Sequence, residues 1–263
     1  MTDLQALLSA YDEQTRARIP AVPARGVTYE YDGALLRETG RFRGFVETPR
    51  DAGVRGPALD ALIARQRDHF AARGQAVEWK TRAHDRPADL PRRLLAAGFV
   101  PEERESVLVG LAARLAGDAA PPPGVTVRQV SADADLRRIT AMKSVVWGRD
   151  LSSLADELGA QLATAPHDVT VLVAEAGGEV VCAAWLVVLP GTQFAGLWGG
   201  STAEAWRGRG IYRALVAERA RRAVSRGVPY LQVDATEDSR PILERLGMRA
   251  ITTTTPYVWT PGR

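Results

Sequence analysis

In the segment Gly199–Ala220, reading GGSTAEAWRGRGIYRALVAERA, Gly208 and Gly210 stand just ahead of Tyr212, Leu215, Val216, Ala220 and Ala223, which recur at helical spacing. The opening N–H groups of a helix have no partner within it and carry the positive end of its dipole. Glycines at its entry therefore let a phosphate reach bare backbone. Arg207, Arg209 and Arg213 surround this anion cradle, and a guanidinium grips phosphate oxygens through paired hydrogen bonds. The cradle is expected to bind through Arg207, Gly208, Arg209, Gly210, Ile211, Tyr212 and Arg213.

The stretch before it, GTQFAGLWGGST, is apolar enough for a strand yet contains Gly196, Gly199 and Gly200. Glycines inside a strand mark a bulge or a closely approaching backbone or ligand. A bulged strand leaves peptide groups for an extended, amide-bearing ligand. A pantetheine arm ending in a pyrophosphate fits that outline.

The order strand, AWRGRG, helix, strand (PYLQVDA), short helix ending in LERLGM and last strand resembles the GNAT superfamily of N-acetyltransferases. The family's pyrophosphate signature, Q/R-x-x-G-x-G/A, falls on Ala205–Gly210: both glycines match, and Ala205 stands where Gln or Arg is usual. The resemblance covers residues 124–263. It implies acetyl-CoA as co-substrate, with backbone groups from Trp198 to Thr202, including those of Gly200 and Ser201, holding the acetyl and pantetheine portions.

Direct attack of an amine on a thioester needs an oxyanion donor, a base for the ammonium proton and an acid for the thiolate. A backbone N–H near Trp198 serves as the donor. The Tyr common in the family falls on Leu243 and its frequent Asn on Thr236, so neither is present. Asp234, at the end of YLQVD, is the expected base, although Asp234 or Asp238 equally suits the cap of the short helix containing Pro241. Ser239 is the hydroxyl nearest the missing Tyr. Glu204 reads as a loop residue, Trp147, Trp185 and Trp198 as core aromatics or acceptor walls, and Cys182 as a buried, inert thiol. His69, His84 and His167 lack metal-ligand spacing, so no metal is expected, and a G-x-S-x-G elbow is absent.

These groups fall in the second of two expected α/β domains. With 263 residues, 46% hydrophobic and 25% charged, the chain can bury an ordinary globular core. GDAAPPPG, residues 117–124, reads as a linker between domains at 1–116 and 125–263. Both halves run helix, strand, short helix closing in LLAAGF or LERLGM, then strand, at offsets near 150 residues, which reads as an internal duplication. The expected fold is two GNAT-like α/β (α+β) domains, each a mixed, mostly antiparallel sheet flanked by helices. In the first copy Arg50-Asp-Ala-Gly53-Val-Arg55 puts Arg55 where the second glycine belongs, so that domain is expected to be degenerate.

The opening MTDLQALLSAYDEQTR reads as an acidic amphipathic helix with Leu4, Leu7, Leu8 and Tyr11 on one side, and no run approaches a membrane span. The net charge of +3 comes from arginines scattered among 31 acids rather than a phosphate-tracking stripe. The sequence therefore points to a cytoplasmic N-acetyltransferase, monomer or homodimer, acting on a small amine, with no nucleic-acid or membrane partner. A CoA-binding sensor without turnover is the alternative, and the absent Tyr favours it.

Overall fold

The computed structural model describes residues 3–20, 23, 26–41 and 43–262. Met1, Thr2 and Arg263, which fall within the expected first helix and second domain, and Phe42, within the stretch from Leu35 to Val46 that reads as strand, lie outside the described residues. In chain order the elements are α1 (Leu4–Thr15), β1 (Thr28–Asp32), β2 (Leu35–Thr39), β3 (Gly44–Glu47), α2 (Gly56–Ala71), β4 (Val77–Arg82), α3 (Leu90–Ala96), β5 (Val100–Pro101) and β6 (Glu105–Leu111). There follow α4 (Ala112–Leu115), β7 (Val125–Val130), α5 (Asp133–Trp147), α6 (Ser153–Thr164), β8 (Val169–Ala176), β9 (Glu179–Val188) and β10 (Phe194–Thr202). The chain ends with α7 (Ile211–Ser225), β11 (Tyr230–Ala235), α8 (Arg240–Arg245) and β12 (Arg249–Trp259).

The chain divides into two compact units. The first takes in the chain up to Leu108, Asp234–Ile242 and everything from Ala250 onward; the second takes in Val109–Val233 and Leu243–Arg249. The division falls inside β6 rather than at the Pro-rich 117–124 segment, which lies within the second unit. The reason is strand pairing. β12 runs antiparallel to β4, from Thr254↔Arg82 to Trp259↔Val77, so the end of the chain belongs with the first half.

In the first unit the strands run in the order β1-β2-β3-β4-β12. All steps are antiparallel except β3 to β4, the step crossed by α2. Leu59, Leu62, Ile63 and Phe70 of α2 close over Leu35, Val46, Val77 and Trp79. These side chains recur three or four residues apart, which puts them on one helix face.

The second unit repeats the device. Its strands run β7-β8-β9-β10-β11, antiparallel until the parallel step from β10 to β11, which α7 crosses. Alternation along β8 gives each face of the sheet its own core. Val171 and Val173 pack under Leu136, Ile139 and Leu158 of α5 and α6, whereas Leu172 and Ala174 meet Ile211 and Leu215 of α7. Gly177 and Gly178, both at positive φ (57° and 85°), make the β8–β9 hairpin turn.

Candidate functional site

The glycine-rich turn fixes the start of α7. Gly208 (φ 72°) and Gly210 (φ 82°, the N-cap) both occupy the left-handed region that only glycine enters cheaply. A side chain at Gly208 would meet nothing within 4 Å, and one at Gly210 only the Arg213 Nη2, 3.7 Å away. The helix entry is thus open on the side from which an anion would come. Arg207, Arg209 and Arg213 are all exposed there. Arg207 Nε donates to the Thr202 carbonyl (3.3 Å), while Arg209 lies over the Trp206 ring at 4.7 Å, so both guanidiniums are held near the turn. Ile211 is buried, which leaves its backbone N–H as the part that can serve a ligand.

The strand leading into the turn carries the expected bulge. Trp198 pairs with Trp185 and Ser201 with Ala183, so Gly199 and Gly200 together face Ala184. Each glycine has a steric reason. A Cβ at Gly199 (φ 62°) would sit 1.9 Å from the Trp185 ring, and one at Gly200 would sit 2.5 Å from the Tyr212 ring. Tyr212 therefore acts as the floor beneath Gly200, with burial raising its hydroxyl above the ordinary value. Trp198 is 47% exposed, its ring folded against Gly196, which leaves no room for a Cβ there. β10 and β11 run side by side only from Phe194↔Tyr230 to Gly196↔Gln232, and the bulge begins two residues further on.

Lys143 of α5 reaches this bulge. Its Nζ donates to the Gly199 carbonyl (2.8 Å) and to Ser201 Oγ (2.9 Å), and lies 5.3 Å from the centre of the Trp185 ring. Trp147 Nε1 donates to the same Ser201 oxygen (3.0 Å). Burial, Lys143 being only 4% exposed, pushes its ammonium down to about 8. Its residue type alone does not mark it, because lysine is by default a solvent-facing residue. The signal was its place: Lys143 follows Leu136 and Ile139 on the same helical stripe. Arg219 is a second case, falling on the apolar face of α7. It is 1% exposed, its Nε donating to Leu215 O (3.0 Å) and its Nη1 to Trp185 O (3.4 Å). Cys182 is buried, its sulfur 3.1 Å from Thr202 Oγ1, and burial raises its thiol.

Asp234 and Ser239 fall in the first unit. Asp234 Oδ2 lies 2.6 Å from Lys80 Nζ, with Glu105 on the same ammonium at 3.4 Å. Burial alone would lower Lys80, but the two carboxylates outweigh it and raise it above the ordinary lysine value. Asp234 thus serves as an ion-pair partner rather than a cap: α8 begins six residues later, at Arg240. Its Oδ1 is buried and has no hydrogen-bond partner among the described residues. Ser239 Oγ donates to the Thr236 carbonyl (3.3 Å). Leu243, at the position where the family carries Tyr, is fully buried.

The corresponding turn of the first unit is closed. Asp51 accepts the Gly53 N–H (2.8 Å) and pairs with Arg55 (2.7 Å), contacts that hold its carboxyl at about 2, Arg55 contributing most. Asp51 bridges to Arg86, Ala52 N–H donates to Arg86 O (2.9 Å) and Arg86 N–H to Arg50 O (2.7 Å). The loops after β3 and β4 are stitched together where β10 and β11 are not. An internal carboxylate already uses the glycine N–H that an incoming anion would need.

Comparison with known proteins accords with this architecture. Residues 112–234 match the family model of the acetyltransferase (GNAT) domain, a stretch lying almost wholly in the second unit. Among solved structures, a GCN5-related N-acetyltransferase from Kribbella flavida superposes over 100% of this chain and 97% of its own (TM-score 0.71, 18% identity). A tandem GNAT protein from the clavulanic acid biosynthesis pathway does so over 99% and 94% (TM-score 0.66, 12% identity). A GCN5-related N-acetyltransferase from Sphaerobacter thermophilus covers 88% and 78% (TM-score 0.60, 18% identity). At these identities the likeness is one of fold. Among curated proteins there is no match.

Proposed function

We propose that the second unit binds acetyl-CoA and transfers its acetyl group to the amine of a small molecule, and that the first unit is a degenerate copy that binds no CoA. The carrying observation is the open, doubly left-handed glycine entry to α7 directly after a bulged strand. The pyrophosphate would sit on the N–H groups of Gly208, Gly210 and Ile211 with Arg207, Arg209 and Arg213 around it. The pantetheine and acetyl groups would lie along Trp198, Gly200, Ser201 and Thr202. Asp234 is assigned the proton of the attacking ammonium, and Ser239 a contact to the departing sulfur. No metal is assigned a role. Among the described residues no cluster of three or more His, Cys, Asp and Glu is spaced to hold one, and no helix is long and apolar enough to cross a membrane.

One observation favours a second reading, a CoA-binding sensor: Leu243 buries a hydrocarbon where the family's acid would stand. CoA thiolate is a fair leaving group and acid catalysis supplies about 10²–10⁴-fold, so its loss slows transfer without forbidding it. Release of free thiol from acetyl-CoA across a panel of small amines separates the two. Transfer predicts amine-dependent release; binding with no release from any amine would establish the sensor and overturn the transfer reading.

A further inference from the structure

An ammonium that is 4% exposed, whose partners among the described residues are a carbonyl, a hydroxyl and an aromatic ring, is an expensive way to fill space. Methionine would occupy the same volume without the desolvation cost, and replacing buried charges by apolar groups is often neutral or stabilising. The chain keeps Lys143 at a place where β10 has two residues opposite one.

The geometry of a trans peptide says what the contact does. The C=O and N–H of one peptide unit point in opposite directions. Lys143 holds the Gly199 carbonyl at 2.8 Å, so the other end of that unit, the Gly200 N–H, is aimed away from α5. Gly199, at φ 62° and within the bulge, lies where the ladder does not fix the peptide, which could otherwise turn over. Ser201 is fixed by the same ammonium. Its oxygen takes one N–H from Lys143 and another from Trp147, which fills both lone pairs and leaves the hydroxyl proton as a donor.

We propose that Lys143 is a positioning residue that locks the Gly199–Gly200 peptide so that the Gly200 N–H is presented as the hydrogen-bond donor to the thioester carbonyl. This rests on the reading of the second unit as the acetyl-CoA site. It sharpens that reading: the donor near Trp198 becomes one peptide unit, governed by a side chain on α5 that never touches the ligand.

The test compares wild type, Lys143→Met and Ser201→Ala by three measurements: calorimetric affinity for CoA, the infrared carbonyl band of bound [1-¹³C]acetyl-CoA, and steady-state transfer. The expected result is that wild type moves the carbonyl band to lower frequency. Lys143→Met should lose at least half of that displacement while binding CoA within about threefold of wild type, melting no lower, and losing about 10²-fold in kcat at unchanged KM, the scale of one oxyanion donor. Ser201→Ala retains the Gly199 contact and should keep most of the displacement. An unchanged band in Lys143→Met, or a loss of CoA affinity and melting temperature in step with turnover, overturns the proposal, the latter because it makes the lysine a packing residue. Should wild type shift the band yet transfer to no amine, the Lys143 assignment stands and the transfer reading falls; should it fail to bind acetyl-CoA, both fall.

Discussion

Gly210 permits a prediction in which shape and charge separate. It caps α7 at φ 82°, a conformation that costs a side-chain-bearing residue about 1–2 kcal/mol. The space beyond its Cα is open to 3.7 Å, so no clash adds to that cost. Gly210→Ala should therefore lower the melting temperature by about 2–4 °C per kcal/mol, and weaken CoA binding only a few-fold, since the strain is borne on folding rather than on binding. Gly210→Glu carries the same strain plus one negative charge about 5 Å from the proposed pyrophosphate. At that separation the repulsion is about 3 kcal/mol for an effective dielectric of about 20 and about 1 kcal/mol in bulk water. The half-exposed site lies between these limits, so Gly210→Glu should bind CoA roughly 5- to 150-fold more weakly than Gly210→Ala. Calorimetry at about 0.05 M and 0.3 M salt gives the numbers, and the gap between the two variants should narrow at the higher salt because the added term is electrostatic. Equal affinities for the two variants at low salt would refute the cradle, since a carboxylate cannot sit at a pyrophosphate site without effect.

Gly199→Ala places a Cβ 1.9 Å from the Trp185 ring at a φ of 62°, and should cost about 2–4 kcal/mol in urea unfolding; a loss under 1 kcal/mol would mean the bulge is built otherwise. For Lys143, the ordinary value of 10.5 falls to about 8 on folding, so the folded chain gives up its proton first and the unfolded chain binds more protons between those values. Stability should therefore rise with pH from about 8 to about 10.5, recovering about 3 kcal/mol relative to Lys143→Met, a comparison that subtracts the opposite contribution of the neighbouring Cys182 thiol; a constant difference between the two proteins would contradict this. Asp234→Asn should reduce turnover while leaving CoA affinity within about threefold, and unchanged turnover would remove Asp234 as the base.

Much of the architecture was legible because period and punctuation agree. VTVRQV (β7) and VTVLVAEA (β8) have the β-branched make-up of strands, and α5, Asp133–Trp147, ends at Gly148 in the left-handed conformation (φ 62°). The glycine turn and the bulge were legible for the same reason, since positive φ and close ring contact both select glycine. Elements of four residues or fewer, such as β5 and α4, leave too few positions to show a period. The pairing of β12 with β4 was hidden for another reason: a strand states which of its faces is buried, not which neighbour it will join. Lys143 and Asp234 show the corresponding limit at the site. A lysine on an apolar stripe announces burial, but that it meets Gly199, 56 residues away, is decided by packing. Asp234 closes a strand in a way that fits a cap, yet its partner Lys80 comes from a distant segment.

A crystal structure of the protein grown with acetyl-CoA tests the central claim most directly. The account predicts the pyrophosphate on the backbone N–H groups between Gly208 and Ile211, and the thioester carbonyl within hydrogen-bonding reach of the Gly200 N–H. Acetyl-CoA bound in the first unit, or its pyrophosphate away from the start of α7, would contradict it.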